Sequence, residues 1–169
     1  KQLIPGLLDG HVHPIGGGGE GGFATRTPPL SATDFLEAGV TTVVGLLGTD
    51  GWTRTGIDLL AHLRGYTSQG IRSFLLSGSY AVPPVSITPS IAEDILLINE
   101  VIGIGEIAIN DHRSTQPTVH ELSRLASQAR IAGLLKGVRG TMNVHIGDGK
   151  RALALLEEVV EMTDIPITQ

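Results

Sequence analysis

Five apolar runs, each followed by a loop and an amphipathic stretch, set the rhythm of this chain. The runs are Leu3 to Leu8, Thr41 to Leu47, Ser73 to Ser77, Val101 to Ile109 and Met142 to Ile146. They are mostly continuous and rich in Val, Ile and Leu, which is how strands buried on both faces read. The stretches between them predict helices. Ser31-Ala32-Thr33-Asp34 has capping-box spacing and opens a helix ending near Gly39. A second runs from Thr55 to Ser68 and is closed by Gly70, and Thr88-Pro89 sets Pro at the first position of a third, ending near Asn99. Thr118-Val119-His120-Glu121 repeats the capping-box spacing before a helix reaching Ala132-Gly133. Asp148 or Gly149 opens the last, Lys150 to Met162, and Ile165-Pro166-Ile167 begins a sixth strand.

Strand and helix alternating in this way imply parallel strands joined by right-handed crossovers, in either a doubly wound sheet or a (β/α)₈ barrel. Five units of about 32 residues scale to the usual barrel of about 250 residues, so the expected fold is a partial (β/α)₈ TIM-type barrel, about five-eighths of one. The active site of such a barrel is built at the carboxyl ends of its strands. The residues there are His11 and His13, Gly48-Thr49-Asp50, Gly78-Ser79-Tyr80, Glu106 with Asp111-His112-Arg113, and His145-Ile146-Gly147-Asp148. On a strand, residues i and i+2 face the same way, so His11 and His13 can converge on one metal ion. With Glu106 and His145 they make a donor set suited to zinc or a similar divalent ion.

Composition narrows the classes. With 41% hydrophobic and 17% charged residues the chain can bury a core, and disorder is not expected. A net charge of −5 without a basic cluster beside aromatics argues against nucleic acid. The absence of cysteine excludes disulfides and thiolate zinc, and is compatible with a cytoplasmic location. No apolar stretch is long enough to span a membrane. The glycine-rich segment from Pro14 to Leu30 exceeds the usual connection length and is expected to be functional or mobile. No Lys-Ser/Thr follows it, which argues against phosphate cradling. His62 and His120 fall within helices and are expected at the surface, His112 could orient a neighbour, and Trp52 could line a pocket mouth. Asp148 reads equally as a helix cap or a site residue.

Pro5-Gly6, Asp9, His11-Val12-His13 and His145 resemble the amidohydrolase superfamily of metal-dependent barrels. The glycine run ending Glu20-Gly21-Gly22, the segment Gly39 to Asp50, Gly78-Ser79-Tyr80 and Asn110-Asp111-His112-Arg113-Ser114 resemble, more narrowly, the isoaspartyl (β-aspartyl) dipeptidases. That resemblance implies a dizinc hydrolase cleaving the β-linked peptide bond of isoaspartyl dipeptides, homo-oligomeric in full-length form. It implies metal ligation by His11, His13, Glu106 and His145, with Glu106 as the bridge. Tyr80 would stabilise the oxyanion, Glu20 would take the substrate α-ammonium, Thr49 would contact the aspartyl moiety, and Arg113 would pair with a carboxylate. A zwitterionic dipeptide needs one anion and one cation in its pocket, and Glu20 and Arg113 supply them.

Glu106 stands where the family pattern has a carboxylated lysine, with a reach shorter by about 3.5–4 Å. A retained binuclear site is expected, with a mononuclear one as the alternative. The family pattern also requires a His from the sixth strand and an Asp from the eighth, beyond Gln169, together with the rest of a small β-domain. Residues 1–169 therefore read as a truncated barrel domain, not competent alone. Alternative functions are another amidohydrolase, acting on a cyclic amide or as a deacetylase, or a catalytically incomplete metal-binding remnant.

Overall fold

A computed structural model describes residues 2–166. Five strands, β1 (Leu7–Val12), β2 (Val40–Gly45), β3 (Arg72–Ser77), β4 (Val101–Ile109) and β5 (Thr141–Ile146), alternate with helices α1 (Ala32–Glu37), α2 (Gly56–Ser68), α3 (Ile91–Leu97), α4 (Val119–Lys136) and α5 (Ala154–Met162). The strands are all parallel and lie in the order β1-β2-β3-β4-β5, curled into a half-barrel. The partial TIM-type barrel is thus present, and the doubly wound alternative is not.

Side-chain alternation divides the apolar residues between the two faces of the sheet. Val43, Leu75, Val101 and Ile104 join the main core with Leu59, Leu63, Ile95, Leu122 and Leu125 of the helices. Val44, Leu46 and Leu76 form a second, smaller cluster with Phe74 and Ile102. Only β4 is buried almost throughout; β1 and β5, at the two sheet edges, are largely half-buried or exposed.

Several local expectations need correction. The first strand is Leu7–Val12 rather than Leu3 to Leu8, and Leu3 and Ile4 are exposed. Pairing with β2, Leu7 opposite Val40 and Val12 opposite Gly45, sets its limits, and that partner is not visible in a local pattern. The cap of α3 is Ser90, whose hydroxyl accepts from the Glu93 amide, not Thr88-Pro89. Thr88 instead binds Asp94, a buried carboxylate that also accepts from the Ile87 amide and the Ser77 hydroxyl, tying the end of β3 to α3. Helix α4 passes through Gly133 and stops at Gly137, which adopts a left-handed φ of 81°. A Cβ on Gly133 would come within 2.8 Å of the Arg139 carbonyl, so this glycine marks a close backbone approach rather than a terminus. Neither Asp148 nor Gly149 caps α5: its N-cap is Leu153, and Gly149 instead donates its amide to the Asn110 carbonyl at 2.7 Å. The capping boxes Ser31/Asp34 and Thr118/Glu121 are both formed. The expected sixth strand at 165–167 runs beyond the described residues.

Candidate metal centre and adjoining pocket

Side chains from the ends of two strands, β1 and β5, converge on Glu106. Its side chain is 5% exposed on β4, and its two oxygens face different partners. Oε2 lies 3.3 Å from His11 Nε2 and 3.8 Å from His13 Nε2, while Oε1 lies 2.8 Å from His145 Nδ1. His11 is on β1, His13 one residue past it, and His145 on β5. Glu106 Oε2 is buried and has no hydrogen-bond partner among the described residues.

This donor set fits a divalent cation. Bonds of 2.0–2.2 Å in tetrahedral geometry separate neighbouring ligand atoms by about 3.4 Å, close to the spacing of His11 and His13 from Glu106 Oε2. His13 directs Nδ1 to the Leu46 carbonyl at 3.0 Å, which fixes a proton there and leaves the Nε2 lone pair facing Glu106. His145 is oriented the opposite way. Its Nε2 sits 2.9 Å from Asp111 Oδ2, so with the proton on Nε2 the Nδ1 lone pair faces Glu106 Oε1. Two acceptors at that distance are reconciled only by a proton or a cation between them.

Tyr80 follows β3. Its hydroxyl is 3.0 Å from His145 Nδ1, and its ring lies under the Arg113 guanidinium at 5.3 Å. Burial, with the Glu106 charge adding to it, pushes the phenol pKa up to about 12, so it remains a hydrogen-bond donor at neutral pH. Its backbone is pinned on both sides, the amide donating to the Gly48 carbonyl and its own carbonyl accepting from the Ala108 amide.

Arg113 is held by Asp111 through Nε at 2.9 Å and Nη2 at 2.7 Å, a bidentate pair that keeps the Asp111 carboxyl well below the usual range. Its Nη1 reaches Glu20 Oε1 at 3.2 Å, and the Thr49 hydroxyl donates to the same oxygen at 2.8 Å. Glu20's own backbone amide, then Thr49 and Arg113, lower its pKa. The two groups expected to hold opposite charges of a substrate are therefore in contact with each other. They line a cavity of about 200 Å³ with His13, Thr49 and Tyr80.

All eight residues singled out from the sequence thus gather at one end of the sheet. The glycine segment 14–30 folds back on itself through pairing of Gly17 with Thr27, a bridge between Gly18 and Arg26, and a Leu30–Pro14 hydrogen bond. Trp52 lines a cleft beside Glu20 with Phe23. His112 and His120 are exposed. His62, expected at the surface, is half-buried, because it contacts the Leu30 carbonyl and the Tyr66 hydroxyl. Asp111 follows the fourth strand, where site residues are expected, but its contacts with Arg113 and His145 are visible only in the structure. Arg54 has no sequence signal and is distinguished by spatial contact alone.

No family model matches the chain. Two solved structures match with a TM-score of 0.95 and 53% sequence identity over 97% of the chain. One is the beta-aspartyl dipeptidase of the thermophilic keratin degrader Fervidobacterium islandicum AW-1, and the other is that enzyme in complex with a beta-Asp-Leu dipeptide. The chain spans 45% and 44% of the length of those proteins.

Proposed function

We propose that this chain, related to the beta-aspartyl dipeptidases of the amidohydrolase superfamily, supplies the metal-binding and amino-acid-binding half of an enzyme that hydrolyses isoaspartyl dipeptides. His11, His13 and one oxygen of Glu106 would hold one divalent cation, and His145 with the other oxygen a second. Imidazole and carboxylate donors suit zinc. When bound, such cations lower the pKa of water and polarise a carbonyl. Tyr80 donates to the scissile carbonyl oxygen, where a phenol with a raised pKa keeps its proton as negative charge develops.

The observation that carries the substrate assignment is the contact between Glu20 and Arg113 at 3.2 Å. In an isoaspartyl dipeptide the free α-ammonium and α-carboxylate sit on the same carbon, because the peptide bond leaves from the side chain. Adjacent opposite charges in the protein match adjacent opposite charges in the ligand. An α-linked dipeptide has no free carboxylate beside its ammonium and leaves Arg113 unmatched, which disfavours it by the cost of an unpaired charge. Thr49, already bonded to Glu20, is within reach of the same head group.

The remaining ligands would come from the part of the relatives' length that this chain does not span, so activity belongs to the full-length protein, and residues 1–169 would be inactive alone. Among the described residues no helix is long and apolar enough to cross a membrane. A cytoplasmic, homo-oligomeric enzyme completes the reading. The test is turnover by the full-length protein of β-Asp-Leu against α-Asp-Leu and N-acetyl-β-Asp-Leu. Preference for the first by at least about tenfold is expected. Faster cleavage of a blocked or cyclic amide would assign the site to another amidohydrolase reaction.

A further inference from the structure

Arg54 is a buried cation outside the proposed metal centre, 6% exposed in the turn before α2. Its guanidinium donates through Nε to the Ile15 carbonyl at 3.3 Å, through Nη2 to the Gly17 carbonyl at 2.9 Å and through Nη1 to the Gly18 carbonyl at 3.3 Å. Nη1 also lies 3.5 Å from Asp50 Oδ2, which offsets the charge. One side chain thus gathers three carbonyls from four consecutive residues, ending two positions before Glu20.

The need for such a clamp follows from the backbone. Gly16 and Gly18 have φ of 83° and 65°, conformations that glycine adopts at little cost, and within the segment the Thr27 hydroxyl binds only the intervening Gly17, accepting from its amide at 2.7 Å and donating to its carbonyl at 3.2 Å. The Glu20 carboxylate is held by its own backbone amide, by Thr49 and by Arg113, and a bound amino acid would compete for the last two. When a ligand takes those contacts, the position of Glu20 depends on the backbone behind it. A planar fork with five N–H donors can satisfy carbonyls pointing in several directions, whereas an ammonium on a flexible stem cannot hold all three.

We propose that Arg54 is a positioning residue for recognition of the substrate amino group, holding the glycine segment so that Glu20 stands at the pocket. The inference rests on the dipeptidase reading for its kinetic consequence but not for its structural one. The experiment uses the full-length protein with Arg54→Lys, which keeps the charge against Asp50, alongside Arg54→Ala, each also combined with Glu20→Gln. Without substrate, hydrogen exchange of peptides covering residues 14–22 should quicken about tenfold in Arg54→Lys, with α2 and β4 unchanged, as expected for loss of one or two charge-assisted bonds.

With β-Asp-Leu, KM should rise about tenfold or more while kcat and bound metal change little, and the same substitution made on Glu20→Gln should cost under about threefold. An equal loss in both backgrounds, unchanged exchange in the loop, or exchange quickened throughout the protein would each overturn the proposal. If the unmodified protein does not cleave β-Asp-Leu, the functional reading fails, and the loop exchange alone decides the role of Arg54. Should Arg54→Ala not fold, Arg54→Lys carries every comparison.

Discussion

His145 donates from Nε2 to Asp111 Oδ2 at 2.9 Å and so turns Nδ1 toward Glu106. The same Asp111 oxygen receives Arg113 Nη2 at 2.7 Å. One buried carboxylate thereby orients both a proposed metal ligand and the cation proposed to receive a substrate carboxylate. Asp111→Asn preserves volume but removes the charge that both donors share. Carboxylates behind a ligating His typically contribute 10–100-fold to metal affinity or activity, so a loss of about that size is expected in the full-length protein. Competitive metal titration and steady-state kinetics with β-Asp-Leu check it. Unchanged affinity for both metal equivalents and unchanged KM would leave Asp111 without an orienting role.

Removal of metal should abolish turnover reversibly. Dialysis of the full-length protein against a chelator, followed by stepwise return of zinc, is expected to restore activity in proportion to two equivalents per chain, because the two oxygens of Glu106 face separate histidine groups. Full activity at one equivalent would make Glu106 a terminal ligand.

Tyr80→Phe keeps the ring beside His145 and under Arg113 but deletes the hydroxyl. Loss of one oxyanion donor costs about 10²–10³ in kcat, with KM and zinc content nearly unchanged. Near-normal turnover would reduce Tyr80 to a packed aromatic.

Gly133→Ala tests the close approach of α4 to the start of β5. The added methyl would meet the Gly140 amide nitrogen at 2.7 Å and the Arg139 carbonyl at 2.8 Å. Backbone atoms cannot rotate aside, so destabilisation of about 1–3 kcal/mol is expected, read as a fall in Tm of the full-length protein. An unchanged Tm would show that the 137–140 turn moves freely.

The parallel architecture was legible because strands buried by helices read as unbroken Val and Ile runs, and α1, α2 and α4 because their caps are local chemistry. Strand β1 was misplaced for the opposite reason: its limits come from pairing with Val40 to Gly45, thirty-odd residues away. Gly133 and Gly149 look like punctuation in one dimension, yet each is a place where two backbones pass close together. In the site, His11, His13, Glu106 and His145 could be found because a barrel puts strand ends together. The same argument reaches Asp111 but not its orienting contacts, and it does not reach Arg54 or Asp94. A buried charge is recognised by what it touches, and its partners lie in different loops.

The curl of the sheet has a metrical consequence for the chemistry. The histidines come from its two margins, β1 and β5, whereas the carboxylate they share rises from β4, the strand most enclosed by neighbours. Flattening the sheet would draw His11 and His13 away from His145 while leaving Glu106 where it is. The spacing of the two histidine groups across Glu106 is therefore a gauge of curvature, and packing beneath the helices, far from any ligand, sets which donors could share one carboxylate.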